Sequence, residues 1–310
     1  MASPLRAARH ELGYWALRVL LVAARAVPLP ALRAAGSALG AAVLALGRRD
    51  RENARLHLRL AYPEAEEAWR ESVLRRSGRH FGRLLGEVAW LWSASPGAIL
   101  GRTRFEGLEH LRGSLAPERG AVLITAHCGN WEWMMLALGA AGVPMSVAAR
   151  EVYDPRLDDI ARRLRGRFGG ETELRGEQAG RRLGGALRRG RVVGLLIDQD
   201  IEIPGVFTRF FGRPAWTPVG AAVLALRHKA PVVSGFAERL PGGAMRLAFA
   251  PPVAVVVPDA DETAAARVTA EMTARIEAQI RAHPEQWVWM HKRWRRQPGP
   301  DERVWTVEDP

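Results

Sequence analysis

The sequence predicts an α/β protein: a mostly parallel sheet flanked by helices, with an N-terminal helical region that associates with a membrane. Three observations carry this reading. Short β-like runs at Ala121–Thr125, Val143–Val147, Val192–Ile197, Val232–Phe236 and Met245–Ala250 alternate with helical patterns at Trp131–Ala141, Pro155–Phe168, Gln178–Arg188 and Pro218–His228. That alternation is the signature of a layered α/β fold. Runs such as Val192-Val193-Gly194-Leu195-Leu196-Ile197 are apolar on both faces, as a strand covered from two sides must be. Residues 1 to about 100, by contrast, read as helices throughout.

Taken in order, Leu12–Leu32 and Leu32–Leu46 are rich in Leu, Ala and Val but interrupted by Arg18, Arg25 and Arg33. The absence of a long uncharged stretch argues against a confident spanning helix. Pro28 and Pro30 should split the segment into two short helices. Arg18 and Arg25 lie seven residues apart, hence on one helical face, which suits a helix lying in a membrane interface with its arginines reaching phosphates. A spanning anchor and an ordinary core helix remain the alternatives. Charges inside the apolar region, rather than before it, do not fit a cleaved signal peptide. Pro63-Glu64-Ala65-Glu66 should open a helix. Helical spacing then runs from Trp69 to Trp92 with Gly78 and Gly82 as weak points, and Ser95-Pro96-Gly97 ends it. A long helix is expected over Asp261–Ala282, and Pro284 begins a Trp-rich element. The expected organisation is a membrane-associating segment over 1–48, a helical region packed on the core over 49–101, the α/β domain over 102–297, and a tail over 298–310.

Composition narrows the function. The 310 residues are 48% hydrophobic, enough for a substantial core. Net charge is +12, nearly all of it Arg, with Lys229 and Lys292 the only lysines. Such an excess suits anionic partners, although an Arg-rich genome would produce the same bias. The arginines are scattered and form no recognisable nucleic-acid motif, so nucleic acid is not expected as a partner. A single cysteine, Cys128, excludes an intrachain disulfide framework and suits a reducing compartment.

In an open parallel sheet, ligands gather beyond the carboxyl ends of the strands. The stretch "TAHCGNWEWMM" lies there, after the strand Ala121–Thr125. Asn130 is placed to cap the following helix and Glu132 to sit in its first turn. With His127 in the preceding turn, the imidazole and the Glu132 carboxylate can converge. A carboxylate on one imidazole nitrogen fixes the tautomer and leaves the other nitrogen basic. The same pattern also describes a capped helix with a merely structural histidine. Adjacent side chains rarely face each other, so Cys128 is a poor nucleophile for His127 to activate. No second histidine or acidic cluster stands at metal-ligand spacing. Asp198 and Asp200 follow the strand Val192–Ile197 and should emerge at the same edge as His127. "GVFTRFFG" (205–212) reads as a loop packed on the core or as the wall of an apolar pocket, with Arg209 beside it. Arg162, Arg163, Arg165 and Arg167 form a basic cluster suited to phosphate.

Five segments in this order, "HCGNWE" (127–132), "LIDQD" (196–200), "GVFTRFFG", "APVV" (230–233) and "PEQWVWMHKRW" (284–294), resemble the late, lauroyl/myristoyl-type acyltransferases of lipid A biosynthesis. The resemblance covers about residues 51–295. It implies a glycerol-3-phosphate-acyltransferase-like fold. It further implies transfer of a fatty acyl chain from acyl carrier protein to a hydroxyl of a lipid A precursor, at the cytoplasmic side of the inner membrane. On that implication His127 is the general base and Glu132 orients it. Asn130, Arg165, Arg167, Asp198, Gln199 and Arg209 are the candidate substrate-binding residues, with Arg167 or backbone N–H groups near Asn130 as oxyanion donors. No metal and no cofactor is implied. Rival readings are an acyl-CoA-dependent enzyme acting on another glycolipid, such as a phosphatidylinositol mannoside, and a non-catalytic membrane-surface protein of the same fold. The "PEQWVWMHKRW" segment suits docking against the core or contact with a headgroup.

Overall fold

The computed structural model describes residues 4–150, 154–176, 178–253 and 262–309. Helices α1 (Pro4–Ala23), α2 (Leu29–Leu46), α3 (Arg48–Ala61), α4 (Glu67–Leu91) and α5 (Pro96–Leu100) come first. Strand β1 (Thr103–Glu106), α6 (Leu108–Gly113), β2 (Ala121–Thr125), α7 (Trp131–Ala140), β3 (Met145–Ala149), α8 (Pro155–Gly166), β4 (Glu171–Leu174), α9 (Ala179–Arg188) and β5 (Val192–Leu196) follow. The chain continues through a hairpin, β6 (Gly205–Phe210) and β7 (Arg213–Pro218), then α10 (Gly220–His228), β8 (Val232–Arg239) and β9 (Met245–Phe249). It ends with α11 (Glu262–Ala282), a single 3-10 turn over Pro284–Gln286, and β10 (Val304–Trp305). Asp261, expected to begin the last long helix, lies outside the described residues.

The main sheet has seven strands in the order β1-β9-β8-β2-β5-β3-β4, and every neighbouring pair is parallel except β8–β9. The mixed α/β expectation therefore holds. β2, with all five residues buried, runs through the centre. Its alternate side chains feed two cores: Leu123 packs with Trp133, Met134 and Leu136 of α7, and Val122 and Ile124 pack with residues of α9, α10 and α11. β2 leaves its carboxyl end towards β3 and β5 leaves towards β8, so the chain diverges there and opens a crevice.

Two local expectations are corrected. "GVFTRFFG" is a strand and turn rather than a loop: β6 pairs with β7, Thr208 and Thr217 bond at 2.8 Å, and Phe207, Phe210 and Phe211 are buried. Gly78 and Gly82 are not weak points of α4. With Gly86 they recur every four residues and let α2 lie backbone to backbone against α4. A Cβ on Gly82 would stand 1.9 Å from the Gly36 carbonyl oxygen, and one on Gly40 would stand 2.2 Å from that of Gly78. Only glycine permits this approach.

Pro28 does part α1 from α2, occupying the N-cap of α2, but the helices are 20 and 18 residues rather than short. By length and composition α2 can cross a membrane. Its one charge, Arg33, turns inward and meets the Glu87 carboxylate at 2.7 Å. The outer faces are apolar and open: Leu12, Trp15, Val19 and Val22 on α1, Leu39, Val43 and Leu46 on α2.

Candidate active site

The turn after β2 is over-determined. Gly129 has φ +66°, and a Cβ there would stand 1.5 Å from the Ala237 carbonyl oxygen. Its N–H donates to the Gln286 carbonyl at 2.9 Å, and its own carbonyl takes a bond from His80 Nε2 at 3.1 Å. Asn130 caps α7 as the sequence predicts, accepting the Trp133 N–H at 2.9 Å. The other end of its amide donates to Glu87 at 2.8 Å. Glu87 is fully buried, and Arg239 and Arg33 close on it. Burial works to raise the Glu87 carboxyl, yet the Arg239 hydrogen bond and charge, with Arg33 and Asn130, hold it below the ordinary range. Arg239 also meets His80 Nδ1 at 2.6 Å. A buried network thus runs from α2, through α4 and β8, into the turn that presents His127.

His127 and Asp198 come from the carboxyl ends of neighbouring strands. Thr125 is in register with Leu196, so two residues further His127 stands beside Asp198. The imidazole Nδ1 lies 2.8 Å from Asp198 Oδ1, while Oδ2 accepts the His127 backbone N–H at 2.9 Å and the Trp287 indole N–H at 2.8 Å. Asp198 is fully buried; burial alone would raise its carboxyl, but the His127 charge and these bonds hold it down at about 2. A carboxylate facing Nδ1 assigns the proton to that nitrogen, so Nε2 carries the lone pair. The histidine lines a cleft of about 260 Å3 together with Trp131, Glu132, Arg165 and Gln199. The floor is apolar, built from Leu123, Met134, Met145 and Leu196. A second cavity, of about 640 Å3, meets it at Ala148, Arg175, Leu196 and Ile201.

Several expected assignments change. Glu132 does not hold His127: its carboxylate pairs with Arg165, whose Nε lies 3.0 Å away, because the turn separating the two residues points them to different partners. Asp198 takes that place. Arg167 does not line the cleft; its guanidinium donates to the Leu91 and Ala94 carbonyls. Asn130 is buried in the Glu87 network and is not available to substrate. Arg209 lies on β6, in a separate depression beside Trp305 and Arg281. Arg162 and Arg163 pair with Asp158 and Asp159 one turn back. Asp200 holds Arg295 and Arg296. Gln199 faces the cleft and bonds His291 at 2.7 Å. Cys128 is buried, and burial raises its thiol far from the reactive range. Among the described residues no group of three or more His, Cys, Asp or Glu could hold a metal ion.

Sequence reasoning missed Trp287, His80, Glu87 and Arg239. The signal for the first was present: "PEQWVW" was expected to dock against the core or meet a headgroup, and it docks Trp287 on Asp198 and Gln286 on the His127 turn. The other three carry no local pattern.

A model of the bacterial lipid A biosynthesis acyltransferases matches residues 3–296. The lipid A biosynthesis palmitoleoyltransferase of Escherichia coli (strain K12) is 27% identical over 301 residues, covering 94% of this chain and 93% of that protein. The lipid A biosynthesis lauroyltransferase of the same organism is 29% identical over 280 residues, 88% of each chain. The phosphatidylinositol mannoside acyltransferase of Mycobacterium tuberculosis (strain ATCC 25618 / H37Rv) is 29% identical over 202 residues, 61% of this chain and 58% of that one. The chain belongs to the bacterial lipid A biosynthesis acyltransferase family.

Proposed function

We propose that this protein transfers a fatty acyl chain from acyl carrier protein to a hydroxyl of a lipid A precursor, at the cytoplasmic face of the inner membrane, on a glycerol-3-phosphate-acyltransferase-like fold. The observation that carries the chemistry is the His127–Asp198 pair, with Nδ1 2.8 Å from the carboxylate and the ring open to an apolar-floored cleft. His127 Nε2 removes the proton of the acceptor hydroxyl as its oxygen attacks the thioester carbonyl. Asp198, already ionised, stabilises the imidazolium that forms. The tetrahedral oxyanion sits at the start of α7, where the Trp131 and Glu132 N–H groups have no carbonyl partner within the helix. Collapse expels the thiolate, which takes the proton back from Nε2, leaving an ester and a free thiol. The Glu132–Arg165 pair on the facing wall fixes the shape of the cleft and holds a guanidinium near the reacting atoms.

The rest of the molecule supports the same reading. A net charge of +12 favours two anionic substrates, a carrier protein and a phosphorylated lipid. The open apolar faces of α1 and α2 suit a membrane surface. The similarity to a phosphatidylinositol mannoside acyltransferase favours one second reading, an acyl-CoA-dependent transfer to another glycolipid. Mass spectrometry of purified protein with each donor offered separately decides between them. One acyl chain added to an incompletely acylated lipid A precursor from the carrier donor, absent with His127→Ala, is the expected outcome. Transfer only from acyl-CoA, or only to a mannoside, selects the second reading.

A further inference from the structure

A cavity of about 480 Å3 between α1 and α8 takes no part in the chemistry above. Its charged groups divide into two kinds. Arg156 is committed to Asp154 at 2.8 Å and Glu11 at 2.6 Å, and Asp159 and Arg163 neutralise each other at 2.7 Å. Among the described residues Arg18 donates to the Tyr14 hydroxyl at 3.3 Å, and neither Arg18 nor Arg25 takes part in an ion pair. The cavity is therefore lined by two arginines with no carboxylate partner among the described residues, together with Tyr14 and Trp92.

The helix that supplies Arg18 also presents Leu12, Trp15, Val19 and Val22, exposed and spaced along one face. At 100° per residue Arg18 lies on the flank of that apolar row rather than opposite it. With the row sunk among acyl chains, the flank stands at the depth of the headgroups. We infer that this cavity binds the phosphate of an anionic lipid headgroup, held in a fork between Arg18 and Arg25. The inference rests on the membrane-surface reading above and adds a specific, built site to it. Its place matters for the enzyme. α8, which forms one wall through Arg156 and Ile160, carries Arg165 in its last turn, and Arg165 holds Glu132 in the His127 cleft. A lipid wedged between α1 and α8 thus lies behind the helix that shapes the active site.

Cosedimentation with phosphatidylcholine vesicles, with and without phosphatidylglycerol, tests this at physiological salt. The full chain should favour the phosphatidylglycerol vesicles, and Arg18→Gln/Arg25→Gln should lose about thirty-fold of that preference, two arginines' worth of attraction. Its binding to pure phosphatidylcholine should not change. Ile160→Trp, which sets a bulkier ring into the cavity and leaves every charge in place, should weaken the preference too. Thermal melting of both variants establishes that they fold. Retention of the wild-type preference by Ile160→Trp would mean diffuse charge attraction and would overturn the site. Equal wild-type binding to both vesicle types would overturn it as well, with the membrane reading intact. No binding to either would remove both readings. Displacement of wild type by glycerol phosphate at matched phosphate concentration would reassign the cavity to soluble phosphates.

Discussion

Replacing Asp198 by Asn weighs the proposed base against its alternatives, because the outcome depends on where three N–H groups point. The carboxylate now accepts His127 Nδ1–H on Oδ1, and the His127 backbone N–H and Trp287 Nε1–H on Oδ2. Asparagine offers one oxygen and one NH2 to the same three donors. With its NH2 at the Oδ2 position it faces two donors and loses two bonds. With its NH2 towards the imidazole it loses one bond, and can regain it if the ring shifts its proton to Nε2. The second arrangement is favoured, and it places a hydrogen on the nitrogen that must act as base. Recovering the productive tautomer leaves two buried donors unpaired, either the His127 backbone N–H and the Trp287 N–H once the amide turns, or Nδ1–H and the amide NH2 facing each other. At about 1–3 kcal/mol for each, this is roughly 2–6 kcal/mol, or about 30- to 10⁴-fold in rate.

Single-turnover acyl transfer should therefore fall by that factor in Asp198→Asn, with acceptor KM little changed, while thermal melting shows a folded protein. Asparagine carries no titratable group, so no assay pH rescues the variant by restoring a charge. Glu132→Gln serves as the matched control: it weakens the Arg165 pair and leaves the His127 tautomer alone, so its rate should fall less. An Asp198→Asn rate within tenfold of wild type would refute the assignment. So would a Glu132→Gln loss larger than the Asp198→Asn loss, which would return the orienting role to Glu132.

Three further outcomes are expected. Burial, reinforced by the Arg239 charge, holds His80 at about 3 against an ordinary 6.5, so its neutral form stabilises the fold fully above pH 6.5 and progressively less as pH falls towards 3. Over that window the loss is on the order of 4 kcal/mol, and His80→Gln, which can bond both Gly129 and Arg239, should flatten the difference between denaturation midpoints at pH 7 and pH 4.5; an unchanged slope would count against it. Gly82→Ala puts a methyl 1.9 Å from the Gly36 carbonyl oxygen and should destabilise by about 2 kcal/mol or more in thermal melting, since α2 must move off α4. Cys128→Ala should keep its acyl-transfer rate, because the buried thiol takes no part in the chemistry; an acyl-thioester trapped on Cys128 would overturn the mechanism.

The legible parts of this molecule are those written in local pattern. The alternation of apolar runs and helical spacing located β2, β3, β5, β8 and β9 to within a few residues, and Asn130 announced its cap by type and position. β1 and β4 were illegible because each is four half-exposed residues that pair only at the sheet's edges. Gly78 and Gly82 were misread because helix propensity describes one helix, and the reason for these glycines is a second helix far along the chain. The expected contact between His127 and Glu132 was misread in the same way. His127 and Glu132 share six residues, and proximity in sequence made them partners. The sheet instead sets Thr125 beside Leu196, so the residue beside His127 is whatever follows Leu196 by two. Asp198 was already expected at that edge; the missing step was the register, which no single strand contains. The fully buried acid held by three N–H groups is the better orienter on physical grounds. Glu132, part-exposed in the cleft and matched to Arg165, is free to respond to a substrate that Asp198 never touches. On the proposed reaction, an acyltransferase that takes donor and acceptor at one cleft gains from that separation, since substrate contacts on the wall leave the tautomer of its base unchanged.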